Sequence, residues 1–284
     1  MAGAPFRLTT CPARRERPFM QPHALNRPAG RALPGAFGHN RGIVRRNYAF
    51  LPPEGVLKSR LPQYENTAVR FLAAPALGAR FAQFVLEIEP GGGSRAPFAE
   101  AAIQHFYYVL SGTAVLQLGD LPPQELGRGG FLYAPPGTPV LLRNEGKTQA
   151  RILGLRKRYE AIGLSAPGPI LSHENQVPRT NHTGFAGRGF QHLLPFGDLA
   201  FDFEMNLMWF APGTFFPAVE THIMEHGLYM LHGQGLYLLG TEWHEIWEDD
   251  FIWMGAYCPQ QFYPTGPDEA AYLLYKDVNR DVAL

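Results

Sequence analysis

The sequence predicts an all-β protein built from two tandem copies of one small β-barrel or sandwich. Three observations carry that expectation. Short apolar runs alternate with turn signals along most of the 284 residues, and the composition, with Gly 31, Pro 26 and 13% aromatics, suits many short strands joined by tight turns. The second half repeats the first. Phe106-Tyr-Tyr-Val-Leu-Ser-Gly112 matches Gly227-Leu-Tyr-Met-Leu-His-Gly233 at an offset of 121 (233 − 112), and Gly130-Phe-Leu-Tyr133 matches Asp250-Phe-Ile-Trp253 at 120 (251 − 131). Matches that recur in the same order at nearly one spacing mark a duplicated unit. With 45% hydrophobic residues the chain can fill its cores, and no apolar run approaches the roughly 20 residues of a membrane helix.

Residues 1–46 hold nine arginines and one acid, Glu16, a net +8, so the rest of this neutral chain carries −8. Rich in Pro and Gly and without apolar periodicity, this stretch is expected to be a disordered, dispensable tail, with Met20 as an alternative start. The acidic body argues against nucleic-acid binding, because phosphate contacts need a basic face. Residues 47–160 read as the first barrel, with strands at Val69-Arg-Phe-Leu72, Phe81–Ile88, Phe106–Ser111 and Ala150–Leu155. Residues 161–189, polar and turn-rich, read as a linker, and 190–284 as the second barrel. There are two cysteines, Cys11 in the tail and Cys258 near the chemistry described next. Their placement excludes a disulfide framework and predicts a reducing, cytoplasmic setting.

The second copy carries the chemistry. Glu220-Thr-His-Ile-Met-Glu-His226 places three metal-ligand side chains within seven positions, and Gln260 follows in Cys258-Pro-Gln-Gln-Phe262. Imidazole with carboxylate suits manganese, iron or zinc. Applied to these positions, the repeat offsets give Ala99, Ala101, His105 and Val140, so the first copy is expected to hold no metal. On one strand Glu220 and His222 would share a face. His226 would lie about 13 Å from His222 on a straight strand, so the chain must turn between them. Gly227 permits that turn, and Gln260 closes the ring from a further strand. Leu228–Leu231 and Leu236–Leu239 then read as a hairpin. Glu225, of odd parity, faces away. His222-Ile-Met-Glu-His226 also fits a helical zinc signature, H-x-x-E-H, but Pro217, Gly227, Gly233 and Gly235 oppose a helix. A purely structural polar cluster would be costly inside a β core without a compensating ion or ligand. The other histidines are isolated and fit turn or surface roles.

This pattern resembles the cupins, jelly-roll barrels with a His-rich first motif whose last ligand precedes a glycine by seven positions, as His226 precedes Gly233. Glu220 stands where the first histidine usually is, His226 where the glutamate usually is, and Gln260 where the second motif has its histidine. The departure is itself specific. Glu-x-His-x-x-x-His, a distant Gln and a metal-free first copy are similar to the (S)-ureidoglycine aminohydrolase family, manganese-dependent bicupins of purine degradation. Asn206–Gly213 and Tyr272–Arg280 share the likeness, which runs from about Ile43 to the C-terminus.

The resemblance implies a bicupin of two tandem jelly-roll barrels, with Glu220, His222, His226 and Gln260 as metal ligands. It also implies Tyr237, Tyr272 and Lys276 as substrate contacts, and hydrolysis of (S)-ureidoglycine to (S)-ureidoglycolate and ammonia in allantoin and allantoate breakdown. Mn2+ is the expected ion, with Fe2+ and Zn2+ as alternatives. Glu220 is the candidate base, and Lys276 the group to pair with the substrate carboxylate or assist the departing amine. One anionic ligand leaves the centre net positive, which favours an anionic small molecule. Competing readings are an iron dioxygenase, a sugar-type isomerase and a non-catalytic small-molecule binder. Sheet edges that need covering predict a homo-oligomer.

Overall fold

A computed structural model describes residues 41–277. Cys11, Met20, His23, His39 and the run 278–280 lie outside the described residues, as does most of the expected tail. The described residues form strands and four single-turn 3-10 segments, with no α-helix. None of their helices is long and apolar enough to cross a membrane.

Two large sheets carry the two copies. In the first, a nine-stranded sheet, Ile103–Ser111 lies between Gly130–Ala134 and Ala150–Arg158, and the last of these pairs with Ala82–Ser94. In the second, an eight-stranded sheet, His226–His232 lies between Phe251–Met254 and Ala270–Lys276, and the last of these pairs with Glu204–Phe210. The strand order is the same, so the repeat read from the sequence is one β unit used twice. Its corner glycine is also reused. Gly112 (φ +73°) and Gly233 (φ +81°) each turn in the left-handed region, and a Cβ would lie 2.9 Å and 2.8 Å from the Cα of Ala150 and Ala270 respectively. Only glycine adopts that conformation at that approach without strain.

The chain exchanges edge strands between its halves. Tyr48–Leu51, assigned from sequence to the first barrel, pairs with Phe251–Met254 of the second sheet. Ile170–His173, assigned to the linker, pairs with Gly130–Ala134 of the first. Each segment saturates an otherwise open edge, which shifts the boundaries expected at 47–160, 161–189 and 190–284. Arg41, expected within a disordered tail, is held in place: its guanidinium donates to both oxygens of buried Asp250 at 2.9 and 2.8 Å and stacks 3.9 Å above Trp247. The expected hairpin is absent. His226–His232 lies in the eight-stranded sheet, while Gln234–Leu239 joins a separate three-stranded sheet with Glu242–Trp247 and Gln260–Pro264. Gly233 turns the chain out of one sheet and into the other.

There are three cores. One fills each barrel, and the third lies between the large sheets, joining Phe106, Tyr108, Phe131 and Tyr133 of the first copy to Tyr229, Phe251, Trp253 and Tyr275 of the second. The central strands are therefore buried on both faces, so Phe106–Leu110 is apolar throughout rather than alternating. Each such side chain contributes roughly 1.5–3 kcal/mol by burial, so the shared core ties the two barrels together.

Candidate metal centre

The candidate residues converge on one cavity of about 490 Å³ in the second barrel, lined by Glu220, His222, His226, Gln260, Tyr237, Tyr272 and Lys276 together with the apolar Phe190, Met208 and Phe216. His226 opens its strand and is buried; Lys276 is its cross-strand partner, with Glu204 on the other side of Lys276. Glu220 and Gln260 exchange both backbone hydrogen bonds, at 2.9 Å each, so their side chains leave adjacent positions on one face. His222 is not on a strand with Glu220 as expected. The backbone leaves the ladder after that pair, and the Tyr257 N–H holds the carbonyl of His222 at 2.7 Å. The turn between the histidines exists, and His226 starting a β-strand excludes the helical zinc arrangement.

Backbone carbonyls orient both imidazoles. Nδ1 of His222 faces the carbonyl of Met224 at 3.1 Å, and Nδ1 of His226 faces that of Tyr275 at 3.3 Å. A carbonyl only accepts, so each Nδ1 carries the proton and each Nε2 presents a lone pair. The two Nε2 atoms stand 3.2 Å apart. Two lone pairs aimed at each other repel. Two nitrogens sharing one ion at about 2.1 Å, near a right angle, adopt about this separation. The Gln260 amide reaches Nε2 of His222 at 2.8 Å, and the Tyr237 hydroxyl donates to the amide oxygen at 3.3 Å. Burial holds both histidines below the ordinary imidazole range; Lys276 adds to this at His222, and His222 and then Lys276 at His226, so both are neutral, as ligands must be. Glu220 stands at the cavity's lip. Burial raises its carboxyl, while Lys276 and Arg188 oppose that rise. Among the described residues no three His, Cys, Asp or Glu side chains already form a closed metal cluster. The assembled part is two imidazoles and an amide, with the Glu220 carboxylate beside them in the cavity. That donor set fits a divalent ion.

The first barrel shows what the repeat offsets missed. Phe98 bridges to Val140 as Glu220 bridges to Gln260. Phe98, not Ala99, therefore occupies the Glu220 position, and a loop one residue longer leads to His105 (105 − 98 = 7 against 226 − 220 = 6). Arg156 pairs with His105 in the ladder as Lys276 pairs with His226. Apolar Phe98 and Val140 replace two donors, and Arg156 takes Glu100 in an ion pair. Sequence reasoning also left out Arg188 and Glu204, and read His192, which ends the strand Arg188–His192, as an isolated turn or surface residue. Glu204 accepts from Asn206 at 2.9 Å, and Asn206 in turn meets His192 at 3.1 Å. Isolated in sequence, they gave no spacing signal; Asn206 alone was marked, as part of the family likeness.

A family model described as a cupin domain matches residues 84–155, within the copy that has lost the donors. The chain is 35% identical to (S)-ureidoglycine aminohydrolase of Escherichia coli (strain K12) over 247 residues, covering 86% of this chain and 94% of that protein. It is 31% identical to the Arabidopsis thaliana enzyme of the same name, over 86% of this chain and 80% of that one. The crystal structure of YlbA from E. coli superposes with a TM-score of 0.78 at 33% identity, covering 86% of this chain and 97% of that one. Identity at this level over nearly the whole of both chains, on a bicupin frame, places the protein in the (S)-ureidoglycine aminohydrolase family.

Proposed function

We propose that this protein hydrolyses (S)-ureidoglycine to (S)-ureidoglycolate and ammonia, a step of purine breakdown, with Glu220, His222, His226 and Gln260 holding Mn2+. The observation that carries the reading is the convergence of the two histidine Nε2 atoms, 3.2 Å apart, with the Gln260 amide 2.8 Å from that of His222, in a cavity that also contains Glu220 and Lys276. The names of the relatives supply the substrate class.

The reaction breaks the bond from the reacting carbon to its amine and forms a C–O bond from water; the ureido group and carboxylate are retained, and ammonia leaves. When bound, the ion would supply Lewis-acid polarisation of the substrate. The Lys276 ammonium pairs with the substrate carboxylate. Tyr237 and Tyr272, both buried with raised pKa values, keep their hydroxyl protons and donate or accept hydrogen bonds without charge. Glu220, released transiently from the ion, would take the proton of the attacking water. Phe190, Met208 and Phe216 wall the cavity and restrict bulk water. A carboxylate and an amide beside two imidazoles suit a first-row divalent ion, and Mn2+ is the ion the family resemblance implies.

The test generates the unstable substrate from allantoate with an allantoate amidohydrolase and follows ammonia release. The second ammonia is expected to appear faster with this protein than without it, an acceleration lost on chelation and restored by Mn2+. Release at the same rate without the protein, or unaffected by chelation, refutes the proposal.

A further inference from the structure

The first barrel carries Phe98 and Val140 where the second carries Glu220 and Gln260, yet one of its segments touches the back of the second barrel's centre at four points. Side chains alternate along a strand, so His226 and Lys276 face into the second barrel while their sequence neighbours face out. Those neighbours are Glu225, Gly227, Tyr275 and Asp277, and residues 80–83 of the first barrel contact all of them. The Arg80 N–H donates to both carboxylate oxygens of Glu225, at 3.0 and 3.2 Å, and the Arg80 guanidinium pairs with Glu225 at 3.3 Å and with Asp277. The ring of Phe81 packs on Tyr275 with centroids 4.1 Å apart. A Cβ on Gly227 would lie 2.2 Å from Oε1 of Gln83 and 2.8 Å from the Phe81 ring, so glycine alone permits this approach.

Glu225 is a buried carboxylate held between the barrels, and the indole N–H of Trp253 donates to it at 3.3 Å. An apolar side chain would fill that space without a desolvation cost. What the carboxylate adds is direction, because hydrogen bonds fix an angle whereas apolar packing slides. The ring of His226 is in turn oriented by the carbonyl of Tyr275, whose side chain rests on Phe81. We infer that the first barrel builds the metal centre from behind: Arg80 and Phe81 grip Glu225, Tyr275 and Asp277, making Glu225 a positioning residue for His226 and Lys276. The inference rests on the metal-centre assignment above.

The test uses the full chain and reads Mn2+ affinity directly, from the electron paramagnetic resonance of free Mn2+ during titration, beside kcat and KM. Outer-shell partners of a metal ligand change affinity by about 10–100-fold, so Glu225→Gln, which keeps shape and removes charge, should weaken Mn2+ by about that factor. It should also raise KM at saturating Mn2+, because Lys276 loses its reference point. Arg80→Ala should show a smaller loss that Arg80→Lys largely restores, and this pair decides the matter if Glu225→Gln does not fold. Arg41→Ala is the control. It breaks another buried carboxylate pair, at Asp250 just before the strand Phe251–Met254 that carries Trp253, and should lower stability without changing Mn2+ affinity. Wild-type affinity and KM in Glu225→Gln, or an equal loss in Arg41→Ala, overturns the inference. His226→Ala separates the two readings: if it retains wild-type affinity, the metal assignment itself fails; if it loses Mn2+ while Glu225→Gln does not, only the inference fails.

Discussion

His105 and His226 occupy equivalent positions in the two copies, and their replacement should have opposite consequences. His105 is 1% exposed, stacks at 6.0 Å on Tyr107 and meets Phe98 edge-on at 5.7 Å. Neither ring nitrogen has a hydrogen-bond partner. Burial, and secondarily Arg156, lowers its pKa from 6.5 to about 4. Glu100 lies 3.8 Å away and would favour the charged ring, but its carboxylate is already taken by Arg156. At pH 7.5 His105 is neutral in both folded and unfolded chains, so its titration contributes nothing there. As pH falls below 6.5 the unfolded chain binds a proton that the folded chain refuses, and stability declines until about pH 4. The full difference is about 3 kcal/mol, at about 1.4 kcal/mol per pH unit. His105→Leu removes this liability and also removes two unsatisfied buried nitrogens, each costing about 1–3 kcal/mol. The variant should equal or exceed wild type at pH 7.5, lead it by about 3 kcal/mol more at pH 4, and keep wild-type Mn2+ affinity. Urea unfolding at the two pH values measures this. A variant that is less stable at pH 7.5, or whose lead does not grow in acid, refutes the picture of His105 as an uncompensated core residue.

Three further outcomes follow from the same geometry. Mn2+ at 100 times its dissociation constant should stabilise the fold by about 2.7 kcal/mol, or roughly 5–10 °C in thermal midpoint; His226→Ala should lose that increment, and a retained shift would remove His226 from the ligand set. Lys276→Met should raise KM at least about 10-fold, the worth of a charge-assisted hydrogen bond, without weakening Mn2+, since a cation is being removed; weaker Mn2+ binding by titration would contradict this. Arg41→Ala should cost about 3 kcal/mol by leaving Asp250 buried and unpaired. Burial already raises Asp250 to about 6 despite Arg41, and a carboxyl raised above its unfolded value loses stability as pH climbs through the folded value. The deficit should therefore widen between pH 5 and 7.5 in urea titrations and close when Asp250→Asn is added; a deficit independent of pH would show that the charge is not its cause.

Much of the architecture was legible because duplication leaves its mark in spacing. Gly112 and Gly233 could be paired by offset, and the structure shows why both must be glycine. The candidate ligands Glu220, His222 and His226 were readable as residue types at short range, Gln260 joined them as a distant residue through the family likeness, and the turn between the histidines followed from strand length alone. The first copy was misaligned by a single residue because its loop is longer, and only the bridge from Phe98 to Val140 reveals that.

The sequence by itself determined an all-β duplicated chain, with metal-type donors in one copy and their loss in the other. These are properties of composition, period and residue identity. The tertiary structure decided which edges Tyr48–Leu51 and Ile170–His173 would cover, which carbonyls would orient His222 and His226, and that Arg80 would reach Glu225 across 145 residues. The physical reason is that spacing along a chain encodes the faces of a strand but not its neighbours. Which edge a strand joins, and which charge lies behind a ligand, is fixed by packing two sheets back to back.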